Sequence, residues 1–364
     1  MTISTILSNV LSGDRLDIAD ATRLLKARGR DAREVYAAAD AMREEKVGDT
    51  VTFVRNNNIH FTNVCKNLCN FCGFGRNPTA ADAYLFTPEQ IKAQLIAAGE
   101  RRVTEVCFLS GVHPEFDLEF YIDTIKLSRE ILPQVNIHAF SPDEINWAAA
   151  RSGVSEREVL KSMQDAGLSS IQGTAAEILV DSVRSVICPA KVSSDHWEEI
   201  IRIAHEIGFR SSATIMYGSV ESEEERAIHL DKIRRIQDDT GGFTEMVLLP
   251  FVHQNTPLHA NGLVPYGPTA TEDLLMTAVS RLYLDNFDHI QISSSKLGPK
   301  MGQAALCAGA DDFAGTMYQD EVTADAGGAS WCMEPEEMAY IARDIGRTLR
   351  ERTTFYEIIE NEKF

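Results

Sequence analysis

The sequence has no long apolar run, a deficit of basic charge and no paired-cysteine pattern, and each shortfall removes a class of protein. No stretch approaches the ~20 apolar residues of a membrane-spanning helix, so no membrane partner is expected. Met1 to Asp20 has no sustained apolar core and meets an acid by Asp14, so no secretory leader is expected there. Lys and Arg number 35 against 54 Asp and Glu, for a formal charge of −19. That field repels phosphate backbones and anionic bilayers, which weighs against nucleic acid as a partner. The seven cysteines are odd in number, which suits a reducing, cytoplasmic setting and not a disulfide scaffold. Neither an internal repeat nor a low-complexity tract is visible.

What is present is concentrated in one short stretch, Val64-Cys65-Lys66-Asn67-Leu68-Cys69-Asn70-Phe71-Cys72-Gly73-Phe74-Gly75. Cys65, Cys69 and Cys72 form a CxxxCxxC run just after an apparent strand end at Ile59 to Thr62. Soft thiolates select iron–sulfur clusters or zinc over hard cations. A structural zinc wants a fourth protein ligand and usually takes paired two-residue gaps. Three thiolates on one loop instead suit three irons of a [4Fe–4S] cube, leaving the fourth iron open. The remaining thiols, Cys107, Cys188, Cys307 and Cys332, read as buried small hydrophobes.

Beyond Leu16 to Glu45, which reads as two helices, strand and helix patterns alternate. Val51–Val54 and Ile59–Thr62 give the first β segments; with Ile59–Thr62 as the first barrel strand, the others fall at Val103–Leu109, Val135–Phe140, Ser169–Gln172, Arg210–Tyr217, Thr244–Phe251, Ile290–Ser293 and Asp312–Thr316. Helices are expected between them, with starts at Thr87-Pro88 and Ser141-Pro142 and a short one over Ala175–Leu179. His205 and His229 read as surface or helix-face residues. Eight strands over about 250 residues match a (β/α)8 barrel. Polar, glycine-rich patches at nearly every strand end favour it over a doubly wound sheet. The α/β expectation is thus a TIM-type barrel over residues 51–320, a helical cap over 1–50 and a C-terminal extension over 321–364.

The cysteine spacing resembles that of the radical S-adenosylmethionine (SAM) enzymes. Along nearly the whole chain the sequence further resembles the tyrosine-using FO synthase family of deazaflavin (coenzyme F420) biosynthesis. Stretches that carry the likeness include His138-Ala139-Phe140-Ser141-Pro142, Gly173-Thr174-Ala175-Ala176-Glu177-Ile178-Leu179 and Leu249-Pro250-Phe251-Val252-His253. The resemblance implies a [4Fe–4S] cluster with SAM on its open iron, one-electron cleavage to a deoxyadenosyl radical, and transfer of the 4-hydroxybenzyl group of L-tyrosine to C5 of 5-amino-6-(D-ribitylamino)uracil. It also implies a flavodoxin- or ferredoxin-type reductant and the other FO synthase subunit as partners. Leu109-Ser110, Gln172, Ser219 and Ser294-Ser295 depart from the family pattern at strand ends. They leave open a divergent paralogue acting on a different aromatic or ribityl substrate. A scaffold lacking the chemistry and a zinc hydrolase using the same cysteines are the readings from other classes.

On this resemblance the cofactor side comprises Ser110, Gly111, Glu177, Met216 and Tyr217. Substrate contacts are expected at His113, Ser219, His253, Gln254, Asn255, Ser294 and Lys296, of which His113, His253 and Lys296 are the catalytic candidates. Plainer readings stand beside these: Gly111 as a turn glycine, His113 as helix-start packing, Glu177 as an acid in the first turn of a helix.

Overall fold

Parallel strands organise the chain. The computed structural model describes residues 1–360. Its strands are β1 (Thr50–Val54), β2 (Asn56–Ile59), β3 (Glu105–Phe108), β4 (Asn136–His138), β5 (Ser211–Tyr217), β6 (Phe243–Pro250), β7 (His289–Ile292), β8 (Asp312–Gly315) and β9 (Thr348–Arg352). They form two sheets, ordered β5-β6-β7-β8-β1-β9 and β2-β3-β4. Single parallel bridges join the sheets: His138 to Ser170, Ile171 to Ser211, and Asn57 to Tyr318. The result is a partial parallel barrel with helices outside it.

The first barrel strand is not Ile59–Thr62. Pairing runs earlier, over β1 and β2, with β1 against β8 and β9 and β2 against β3. Residues 60–62 leave the ladder because the rim takes over their polar groups: the Phe61 N–H donates to Ser110 Oγ at 2.8 Å, and the Gly111 N–H to the Thr62 carbonyl at 2.9 Å. The helix expected over Ala175–Leu179 does not form. Ala175 and Glu177 sit at φ 66° and 47°, a left-handed region closed to a continuing helix. The buried Arg184 guanidinium donates instead to the carbonyls of Ala175, Ala176 and Ile178. Where local capping chemistry is strong, the helices begin as read. Ser141 and Glu144 form a reciprocal capping box that starts Pro142–Ser152, and Thr87 with Gln90 does the same for Pro88–Glu100.

An unforeseen helix, Ile3–Leu11, precedes Ile18–Leu25 and Arg30–Val47. The latter two pack on the outer helices Glu223–Thr240 and Ala270–Tyr283. Near the other end of the chain, β9 lies parallel to β1 and brings Arg352 under the barrel, where its Nε donates to Asp312 Oδ2 at 2.5 Å. Thr354 Oγ1 donates to Glu105 Oε2 at 2.7 Å. Cys107 and Cys188 are buried as expected, whereas Cys307 and Cys332 are exposed. His229 is 0% exposed, not a surface residue; its Nδ1 accepts the Leu179 N–H at 3.0 Å, fixing the chain after the 175–179 turn. Among the described residues no helix is long and apolar enough to cross a membrane.

Strand side chains alternate between faces, and here the inward face is unusually polar. Asn56 and Asn58 of β2, Glu105 of β3, Ser212 and Thr214 of β5 and Glu245 of β6 all line one central cavity of about 220 Å³. A TIM barrel normally fills its interior with Val, Ile and Leu; this lumen is hollow and hydrogen-bonding.

Candidate active site

The cysteine loop closes the top of the barrel. The Asn70 N–H donates to the Ile187 carbonyl at 2.8 Å, the Leu258 N–H to the Asn70 carbonyl at 2.9 Å, and Asn67 to the buried Asp143. Cys65, Cys69 and Cys72 line a single chamber of about 170 Å³ together with Ser110, Gly111, Glu144, Glu177 and Lys191. Gly111 is there because nothing larger fits. A Cβ on it would lie 2.3 Å from the Val64 carbonyl oxygen and 3.1 Å from Cys65 Cβ, so it is more than a turn glycine. The chamber meets the lumen at a wall the two share: Leu109, Gln172, Thr174 and Val322.

Lys191 Nζ lies 2.7 Å from Glu177 Oε1. Burial opposes its charge, but Glu177, Cys69 and Asp143 together push its pKa well above the usual value. Burial raises the Glu144 carboxyl to about 7, and its Oε1 has no protein partner. Burial also pushes the Cys69 and Cys72 thiols up, so as free thiols they are protonated and metal binding must release those protons.

Other expected residues fall outside both chambers. Tyr217 is 1% exposed and points outward, its hydroxyl donating to Asp273 Oδ1 at 2.9 Å. Its neighbour Met216 faces a small side cavity beside Phe71 and Cys72; adjacent strand residues cannot share a face. His113 stacks on Phe116 at 4.6 Å between ring centroids, and its Nδ1 accepts the Glu115 N–H, which is the helix-start packing. Ser219 Oγ donates to Glu221 at 2.6 Å, and Ser294 is buried away from the lumen. Gln254 and Asn255 are exposed at the rim, where the Asn255 N–H donates to the Ala326 carbonyl; His253 packs against His259. Lys296 does reach the lumen, with Nζ 3.0 Å from Thr323 Oγ1.

The likeness to known proteins agrees with this geometry. A profile of the Radical SAM superfamily matches residues 59–233, and one described as the CofH/MqnC C-terminal region matches 240–363. Over 355 residues the chain is 52% identical to the 5-amino-6-(D-ribitylamino)uracil–L-tyrosine 4-hydroxyphenyl transferase of Methanoculleus marisnigri, covering 97% of each chain. The chain belongs to this radical SAM family. The Methanospirillum hungatei protein of the same name is 47% identical over 97% of each chain. An FO synthase from Mycobacterium leprae is 43% identical, matching 92% of this chain but 39% of that longer protein. Two solved structures share the fold. Methylornithine synthase aligns with TM-score 0.72 at 19% identity, covering 94% of this chain and 97% of its own. The FeFe-hydrogenase maturase HydG from Carboxydothermus hydrogenoformans aligns with TM-score 0.75 at 14% identity, covering 97% and 80%.

Radical SAM membership implies a [4Fe–4S] cluster and SAM, and the residues present fit them. Three thiols with no disulfide partner face one chamber. Among the described residues no three His, Cys, Asp or Glu side chains converge on a point that could hold one metal ion. In this radical SAM chain the sequence reading missed Lys191, Glu144 and the lumen set. For the lumen set, the available signal was polar residues inside buried strands, such as Asn56 and Asn58 on β2 and Glu245 on β6.

Proposed function

We propose that the chain joins the 4-hydroxybenzyl group of L-tyrosine to C5 of 5-amino-6-(D-ribitylamino)uracil, with 2-iminoacetate as the other product, in coenzyme F420 biosynthesis. The observation that carries this reading is the shared wall: a chamber lined by three thiols lies directly against a hollow polar lumen. Cys65, Cys69 and Cys72 would hold a [4Fe–4S] cluster, which together with SAM would supply a hydrogen-abstracting radical. The chain's own residues do the rest. Glu177 and Lys191 offer opposite charges that match the ammonium and carboxylate of SAM's methionyl end. Glu144 offers an unused acceptor, and the backbone at Ser110 and Gly111 allows close approach. Met216 packs beside the loop.

Lys296, close enough to Asp320 to help hold that carboxyl's pKa down, faces the lumen with it, and the two offer the charges a zwitterionic amino acid requires. Tyrosine held there lies next to the shared wall. His113, Tyr217, Ser219, Ser294 and the rim residues His253, Gln254 and Asn255 act as supports of the rim, not as contacts to the reacting atoms. Residues 1–50 serve as a cap, 51–320 as the catalytic barrel and 321–364 as an extension that supplies Val322 to the mouth. A flavodoxin- or ferredoxin-type protein donates the electron, with the other FO synthase subunit as companion.

Anaerobic reconstitution should give a brown protein with about four irons and four sulfides. Incubated with tyrosine, the ribityl-uracil, SAM and a reductant, it should yield 5'-deoxyadenosine, 2-iminoacetate (read as glyoxylate) and the joined product by mass spectrometry. Cys65→Ala should lose the chromophore and all deoxyadenosine. A colourless protein containing zinc would sink the reading. Cleavage of SAM with tyrosine but no consumption of the uracil would mean a different acceptor.

A further inference from the structure

Asn58 is an unusual residue to find where it is. It lies near the end of β2, 1% exposed, and it lines the lumen. Its backbone is fully used: the N–H donates to the Tyr318 carbonyl at 2.9 Å, and its carbonyl accepts from Asn57 Nδ2 at 2.7 Å. Its side chain is not used at all, since neither Nδ2 nor Oδ1 has a protein partner. Leaving one buried polar atom unmatched costs about 1–3 kcal/mol, and here donor and acceptor are both unmatched on one planar amide. Neighbouring lumen residues show the contrast. Asn56 Oδ1 accepts the Met317 N–H at 2.8 Å, and Gln172 Nε2 donates to the His138 and Phe108 carbonyls at 2.8 and 3.1 Å. The Asn58 amide is therefore kept for something that enters the lumen.

The chemistry of that amide selects between the two substrates. A carboxamide presents one acceptor and one donor side by side in a plane, and its complement is another planar N–H/C=O edge. The imide of a uracil ring carries such an edge. Tyrosine does not: its ammonium only donates, its carboxylate only accepts, and its phenol is a single hydroxyl. Across the lumen, Glu245 Oε2 on β6 is a second acceptor with no protein partner, and a polyol supplies the hydroxyl donors that would answer it.

We propose that Asn58 is the residue that reads the uracil ring of the acceptor substrate, pairing with its imide edge, while Glu245 takes a hydroxyl of the ribityl chain. This rests on the reaction proposed above and assigns its acceptor subsite to the barrel interior, below the shared wall. The rim histidine loop is then not the acceptor site.

The test uses reconstituted holoenzyme carrying Asn58→Ala or Asn58→Asp, each assayed for product with either substrate varied. Loss of a paired buried donor and acceptor discriminates by roughly 10- to 100-fold. We expect KM for the ribityl-uracil to rise by that factor in both variants while KM for tyrosine moves less than threefold. The melting temperature of Asn58→Ala should not fall, because no protein hydrogen bond is removed and two unmatched buried polar atoms are. A structural asparagine would behave oppositely, with a lower melting temperature and both KM values moving together. Unchanged KM for the uracil in a wild-type-active enzyme would overturn the assignment and leave the reaction standing. If the wild-type holoenzyme neither binds nor consumes the uracil, the reaction fails and this assignment falls with it.

Discussion

Replacing Glu245 by Gln tests whether the lumen floor holds a neutral carboxyl. Glu245 is buried, and its Oε2 has no protein partner. Burial raises its pKa from 4.5 to about 7; Arg352 works against the rise, and Asp312 and Glu105 add to it. The folded state therefore holds this proton more tightly than the unfolded chain does. The stability that follows is fully present below about pH 4.5 and is lost as pH rises through about 7. A shift of this size, at about 1.4 kcal/mol per unit, amounts to roughly 3 kcal/mol. Gln is uncharged at every pH and nearly isosteric. The stability of Glu245→Gln relative to wild type should thus climb by about 1.4 kcal/mol per pH unit between pH 5 and 7 and level off near 3 kcal/mol above pH 8. Glu144, also raised to about 7, acts in both proteins and cancels in the difference. Urea unfolding of reconstituted protein, run anaerobically at pH 5, 6, 7 and 8, reads this difference. A gap between the two proteins that does not change with pH would refute the argument, because it would mean that Glu245 stays ionised throughout.

Three further perturbations follow from the same geometry. Gly111→Ala pushes a Cβ to within 2.3 Å of the Val64 carbonyl, so the cysteine loop must shift; less iron retained after reconstitution is expected, and normal iron content with a normal visible spectrum would count against it. Glu177→Gln should weaken SAM binding by about 1–3 kcal/mol if the carboxylate accepts from the cofactor; an unchanged dissociation constant in equilibrium dialysis would reduce Glu177 to the partner of Lys191. Arg352→Leu strands Asp312, which is 0% exposed, without its cation, and should cost about 3–5 kcal/mol of unfolding free energy. The double variant with Asp312→Leu should recover most of that, and a single-variant loss below about 1 kcal/mol would show that the pair is not coupled.

Local chemistry was legible in the sequence. Cys65, Cys69 and Cys72 sit within one turn-rich loop, so their spacing alone puts three soft ligands together, and the capping boxes at Ser141 and Thr87 need only residues three positions apart. The alternation of strand and helix gave a parallel α/β architecture, because parallel strands need a crossover between them, and the polar, glycine-rich strand ends then favoured a barrel over an open sheet. Positions that depend on ring closure were not legible. Which face of β2, β3 and β6 turns inward follows from pairing between strands far apart in the chain, and that pairing points Asn58, Glu105 and Glu245 into the lumen. Met216 and Tyr217 show how much one residue of register matters: they are neighbours on β5, yet one lies beside the cysteine loop and the other hydrogen-bonds to Asp273 in the helical layer. The tight turn at 175–179 depends on Arg184 and His229, which satisfy its backbone groups from elsewhere in the chain. Val322, which walls both chambers, and β9, which brings Arg352 under the barrel, come from chain beyond the last barrel strand. Short-range spacing therefore specified the chemistry of the cysteine loop, and only long-range packing decided which polar side chains meet a substrate, because a side chain's direction is set by the strands that pair on either side of it.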